Sequence, residues 1–252
     1  MTLRGMGISE TSVKTANASQ SQVESKALAP AWHTAGALLL FLGFAAASLY
    51  GTVSRRAQHP HNRALGYFIG MAIEWLIVGF IALGARWQGA SLRTLAGEFS
   101  PSWRAVLRDL GLAIAYLVAA NIVLGILSSV LGLHPASSGF WKNLLPQTAL
   151  EWTVFFLYTL TAGICEETIF RGYLQRQFTG WTGNAAAGIV LQGILFGAAH
   201  AYQGPSQMIL IAFDGCMFGS LAYWRKSLRP GMLAHFIQDS VGGIILARVL
   251  VK

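Results

Sequence analysis

The sequence predicts an all-α fold, a polytopic transmembrane helical bundle of about seven spans with room for an eighth element. Three observations lead there. Of the 252 residues, 54% are hydrophobic and only 11% charged, against about a quarter charged in an ordinary soluble domain. The mean hydropathy is +0.51. The apolar residues also fall in seven stretches, each approaching the ~20 residues that a helix needs to cross ~30 Å of hydrocarbon.

In chain order, residues 1–29 are polar and rich in Ser, Thr, Gln and Ala, with no apolar core of the kind a cleaved signal has. They are read as a disordered tail. The stretches 31–53, 64–87 and 110–133 follow, and residues 30–140 are taken as a block of amino-terminal transmembrane helices. The stretches 149–170, 184–201, 206–224 and 230–250 make up a second block, 145–250. The fifth and sixth are short and joined only by YQGPS, which predicts a tight helical hairpin. SLRTLAGEF and FWKNLL fit short amphipathic helices lying in the interface. The spacings Gly193–Gly197 and Gly215–Gly219 predict close-packing faces on the hairpin helices.

The net charge is +8, but the basic residues sit in short segments between apolar runs. That pattern suits loops at a membrane surface, and a nucleic-acid partner is not indicated. Twelve of the 18 Lys and Arg fall on the amino-terminal side of a seven-span arrangement, which favours a cytoplasmic amino terminus. His59 and His61 belong to a basic loop. Cys165 and Cys216 lie inside apolar runs, where buried free thiols are expected.

The polar residues of the second block are unusual for their surroundings. An ionised side chain at mid-membrane costs roughly 2.5–3.5 kcal/mol on insertion scales, so charges there are paired or functional. Glu167 and Arg171 are four apart, as are His235 and Asp239, and His200 lies four after Phe196. Residues four apart share a helix face, so three helices can each present one polar spot to a common interior point. Arg171 can neutralise Glu167 one turn away. Glu166 points about 100° around the helix and has no partner on its own helix, which suits a general base and then acid. Asp214 and Glu74 are further intramembrane carboxyls outside these pairs and are site candidates on that ground.

EETIFR reads as EExxxR, FGAAH as FxxxH and HFIQD as HxxxD. In that order on successive helices, residues 145–245 resemble the CAAX prenyl protease and bacteriocin-processing (CPBP, Abi) family of intramembrane endopeptidases. The resemblance implies hydrolysis of a peptide bond near the membrane surface. It implies Glu166 as the catalytic glutamate, His200 as its partner in activating water, and His235 as the group that steadies the oxyanion. Glu167, Arg171 and Asp239 would support them. The family's CAAX-cleaving members frequently have Asn where this chain has Asp239, and an ionised Asp cannot donate to an oxyanion.

No cofactor is favoured. A zinc variant would use Glu166, His200 and His235. The expected partners are the lipid bilayer and a peptide or protein substrate, with a lipidated one as an option, and the expected location is the cell membrane. Two other classes compete: a non-catalytic immunity or peptide-binding protein, and a proton-coupled transporter with Glu166, His200, His235 and Asp214 as relay.

Overall fold

The structure is a computed structural model describing residues 27–54, 62–97, 102–133 and 138–250. The readings on residues 1–26, on Arg55 and Arg56, and on His59 and His61 lie outside the described residues.

The architecture is an all-α, polytopic helical bundle. Its helices are α1 (Ala31–Ser54), α2 (Arg63–Trp87), the short α3 (Leu92–Ala96), α4 (Trp103–Leu131), the short α5 (Ser138–Leu144) and α6 (Ala149–Glu167). A π-helical segment, Thr168–Leu174, continues α6 without a break into α7 (Gln175–Thr182). Then come α8 (Ala185–Ala199), a 3₁₀ turn at Ala201–Gln203, α9 (Pro205–Arg225) and α10 (Arg229–Leu250).

Local chemistry sets the boundaries. The side chains of Asn62, Ser102 and Asn184 cap α2, α4 and α8 by accepting from backbone N–H groups of the first turn. Thr148 and Glu151 form a reciprocal capping box at α6. Gly132 and Gly183 close α4 and α7 in the left-handed conformation. Pro205 starts α9.

Five segments among the described residues are long and apolar enough to cross a membrane: Ala31–Gly51, Arg63–Trp87, Trp103–Leu131, Ala149–Thr182 and Arg229–Leu250. The predicted fifth and sixth spans emerge differently. The helix α8 has only 15 residues, about 22 Å at 1.5 Å per residue. Its partner α9 carries Asp214 buried at its middle. The two form the expected hairpin, packed so closely that a Cβ at Gly193 would lie 2.9 Å from the Ala212 carbonyl oxygen. The stretch predicted to end at 170 runs on to Thr182, because the polar residues after it are buried. SLRTLAGEF and FWKNLL do contribute the short helices α3 and α5.

Two buried clusters hold the bundle. One joins α1, α2 and the π segment through residues such as Phe41, Ile77, Ile81, Phe170 and Tyr173. The other joins α4, α9 and α10 through Ala113, Tyr116, Phe218 and Ala234. Polar pairs add register. Gln177, fully buried, accepts from the N–H groups of Leu28 and Ala29 at 2.7 and 3.1 Å and donates to the Ala29 carbonyl at 2.7 Å. The packed chain thus begins by Leu28, inside the stretch read as tail. Tyr173 meets Thr34 at 2.9 Å and His33 at 3.3 Å, tying α1 to the π segment.

Candidate active site

Glu166 and Glu167 are the last two residues of α6, where α-helix passes into π-helix. The change shows in the Gln175 N–H, which donates to Phe170 O, five residues back. All seven residues of the π segment are buried. Such segments are rare and are frequent at functional sites. This one changes the phase between the acidic pair and Arg171, which a continuous α-helix would have fixed.

Arg171 donates from an Nη to Glu167 Oε1 at 2.9 Å, and both side chains are fully buried. Its other Nη donates to the Gly215 carbonyl at 3.3 Å. The guanidinium carbon lies 4.2 Å from the Phe196 ring centroid, 4.9 Å from Phe218 and 5.7 Å from Phe170. A desolvated cation over aromatic faces gains about 2 kcal/mol, which offsets part of the cost of burying this charge. The remaining Glu167 oxygen, Oε2, packs beside Gly231, where a Cβ would sit 2.8 Å from it. Only a residue without a side chain lets α10 approach the carboxylate this closely.

His235 stands six residues into α10 and is buried. Its Nδ1 lies 3.2 Å from Glu167 Oε1. A carboxylate already held by a guanidinium accepts, so Nδ1 carries a proton and the ring is oriented by it. The other nitrogen, Nε2, faces two carboxylates, Glu166 Oε2 and Asp239 Oδ2, each at 3.6 Å. Glu166 is 16% exposed and Asp239 37% in side-chain terms, so the pair forms the more open side of the cluster. A separation of 3.6 Å is beyond a direct hydrogen bond but within ion-pair distance, and Glu166 Oε2 is buried with no hydrogen-bond partner.

His200 occupies a different place. It caps α8, and its Nδ1 donates to the Phe196 carbonyl at 2.8 Å. Its ring lies 4.9 Å from the Phe196 ring, whose centroid is 6.0 Å from that of His235. Phe196 therefore packs against both imidazoles, and the imidazole paired with Glu166 is His235. Glu166, Glu167, Arg171, His235 and Asp239 come together, and His200 stands beside them with its ring against Phe196. Among the described residues no set of three or more His, Cys, Asp and Glu is placed to hold a metal ion. Glu166, His200 and His235 are not placed as such a set.

Other residues shape the surroundings. Asp214 is buried and fully engaged: the Tyr116 hydroxyl donates to it, and Gln238 donates to Oδ2 at 2.9 Å. It braces α4, α9 and α10 behind His235. Sequence spacing did not single out Tyr116, Gln238 or Gln192, which donates to Gly215 O at 2.8 Å; the available signal was a polar group in an otherwise apolar helix. Phe140 of α5 lies 6.2 Å from Tyr202, whose ring is 5.9 Å from His200. The short helix thus covers the side of the cluster nearest His200. Cys165 is buried beside Glu166, and both cysteines are free.

Residues 148–241 match the family model described as type II CAAX prenyl endopeptidase, Rce1-like. The match bears out the resemblance read from EExxxR, FxxxH and HxxxD, and it runs from α6 into α10 while leaving α1 to α5 outside. No curated protein and no solved structure matches the chain.

Proposed function

We propose that this multi-pass membrane protein, whose carboxyl-terminal helices carry an Rce1-like domain, is an endopeptidase that cuts a peptide bond at the membrane by water attack. The observation that carries it is the setting of His235. A buried Glu167–Arg171 pair fixes Nδ1, while Nε2 faces Glu166 and Asp239 at 3.6 Å each.

In this reading Glu166 is the base. It takes a proton from water as the water oxygen bonds to the substrate carbonyl carbon. His235, with carboxylates on both sides, holds its second proton on Nε2 and donates to the oxygen that becomes negative. The C–N bond then breaks, and Glu166 returns its proton to the leaving amine. Asp239 acts on His235 and not on the oxyanion, since an ionised carboxylate only accepts. The ionised pair Glu167–Arg171 does no proton transfer; it sets the ring. His200, with Nδ1 engaged by Phe196 O, presents Nε2 as an acceptor at the edge of the cluster and positions the incoming peptide or water.

The substrate is a peptide or protein segment at the membrane, and CAAX-type or bacteriocin-type processing in the cell membrane are the finer options. Glu166→Gln tests the reading. New amino termini in membrane fractions are compared between intact protein and variant. Termini that depend on Glu166 support it, with a loss of about 10²- to 10⁴-fold for a removed base. Identical termini at wild-type abundance would leave a non-catalytic, peptide-binding role.

A further inference from the structure

The last turn of α2 and the short α3 frame a second feature, away from the acidic cluster. Gly89, at φ +78°, closes α2 in the left-handed conformation. The Ala90 N–H donates back to the Ala85 carbonyl at 2.9 Å, and the Gly89 N–H to Arg86 O at 3.0 Å. The chain therefore reverses, and α3 comes to lie beside the end of α2. A five-residue helix does not persist alone, and contacts to other elements fix this one. Leu95 is buried on the π segment, where a Cβ at Gly172 would lie 3.2 Å from Leu95 O. Arg176 donates to the Thr94 carbonyl at 2.7 Å, and the Leu228 N–H to Ala96 O at 3.0 Å.

Between this shelf and α2 is a cavity of about 510 Å³ lined by Ala82, Arg86, Ser91, Leu92 and Arg93, a volume usual for a small-molecule site. The lining holds two guanidiniums, a hydroxyl and two apolar side chains, with no acid. Ala82 and Arg86 share a face of α2, and Ala82 is one turn deeper in the span that ends at Trp87. The depth is that of the membrane interface. Trp87 is exposed, and its ring lies 5.4 Å from that of Trp32 at the start of α1. Exposed Trp224 marks the end of α9, whose junction with α10 bonds to α3. Tryptophans at helix ends sit at headgroup level. The same end is cationic beyond the cavity: Arg108 and Arg225 reach Asp109 at 3.1 and 3.9 Å, and Arg229 pairs with its other oxygen. One carboxylate there faces three guanidiniums.

We propose that this cavity binds an anionic phospholipid, with Arg86 and Arg93 on the phosphate and the first part of an acyl chain against Ala82 and Leu92. Guanidiniums hold phosphate through forked, charge-assisted hydrogen bonds. The apolar lining and the interfacial depth select a lipid over a soluble phosphate. A choline headgroup carries a phosphate too, but it brings a further cation to an end already rich in them. The site stands apart from Glu166 and His235 and does not depend on the endopeptidase reading.

Native mass spectrometry of the whole chain in detergent, with phosphatidylglycerol, phosphatidylcholine or inorganic phosphate added in turn, measures the bound species and their Kd. Phosphatidylglycerol should bind about 10-fold tighter than phosphatidylcholine, and Arg86→Gln and Arg93→Gln should each weaken it about 10-fold. Arg248→Gln removes the same charge from the last turn of α10, about 30 Å along that 22-residue helix, and should leave the affinity unchanged. Ala82→Phe fills the apolar part of the cavity with every charge kept, and it should weaken binding as well. Should an arginine variant fail to fold, Ala82→Phe carries the test. An equal loss in Arg248→Gln would show that net charge alone attracts the lipid, and the proposal would fall. Equal binding of the two lipids, or wild-type affinity in Ala82→Phe, would overturn it too. Displacement of phosphatidylglycerol by an equal concentration of inorganic phosphate would assign the cavity to a soluble anion instead.

Discussion

His235 Nδ1 lies 3.2 Å from Glu167 Oε1, the same oxygen that Arg171 holds at 2.9 Å. One carboxylate oxygen therefore serves a buried cation and an imidazole at once. Glu167→Gln leaves the Arg171 charge buried and unpaired, and the expected loss is about 3–5 kcal/mol. Thermal unfolding in detergent measures it, and an unchanged midpoint would show that the pair contributes nothing to the bundle.

Arg171→Lys keeps the charge but removes the planar group that sits over Phe196 and reaches Gly215 O. An ammonium cannot meet Glu167, the carbonyl and three rings together. We expect a loss of about 1–3 kcal/mol, with Phe196→Leu giving a loss of the same order and Arg171→Lys/Phe196→Leu less than the sum. The double-mutant cycle in the same unfolding assay decides it.

Gly231→Ala places a methyl 2.8 Å from Glu167 Oε2 and 3.4 Å from its carboxyl carbon. Either α10 moves out or the carboxylate turns, and both disturb the contact with His235. The expected cost is about 1–3 kcal/mol, with cleavage falling further than stability alone would account for. Near-wild-type turnover in this variant would mean that the orientation of His235 by Glu167 is not needed.

Gln177→Leu removes three buried hydrogen bonds to Leu28 and Ala29 and leaves two N–H groups and a carbonyl without partners. A loss of about 1–3 kcal/mol per unpaired group is the upper expectation. The segment before α1 should become cleavable by added protease, whereas the wild type should be protected from Leu28 onward. Equal digestion of both would show that Gln177 does not anchor the chain there.

The motifs placed the site on the right helices because spacing along one helix is local. Glu167 and Arg171 lie one turn apart, and so do His235 and Asp239, and both relationships survive in the fold. FxxxH acquires its reason only in three dimensions: the Phe196 carbonyl binds His200 and its ring covers Arg171. The partner of Glu166 was not legible. Its nearest imidazole is His235 across the bundle, not His200, because α8 ends in a cap that ties the ring of His200 to its own backbone. The π segment was equally hidden, since nothing in TIFRGYL breaks α-helical periodicity. Glu74 was visible as an acid in an apolar helix, but only the fold shows that it is buried with Oε2 lacking a hydrogen-bond partner.

By itself, the sequence determined a membrane-embedded helical chain and gathered its acids and imidazoles onto four-residue spacings, since hydropathy and helical period act over a few neighbouring residues. Tertiary structure alone decided which imidazole meets which carboxylate. That choice depends on the rotation and depth of each helix, set jointly by close contacts such as Gly163 against Met232 O and Gly231 against Glu167. No single segment contains those contacts, so no single segment encodes the site.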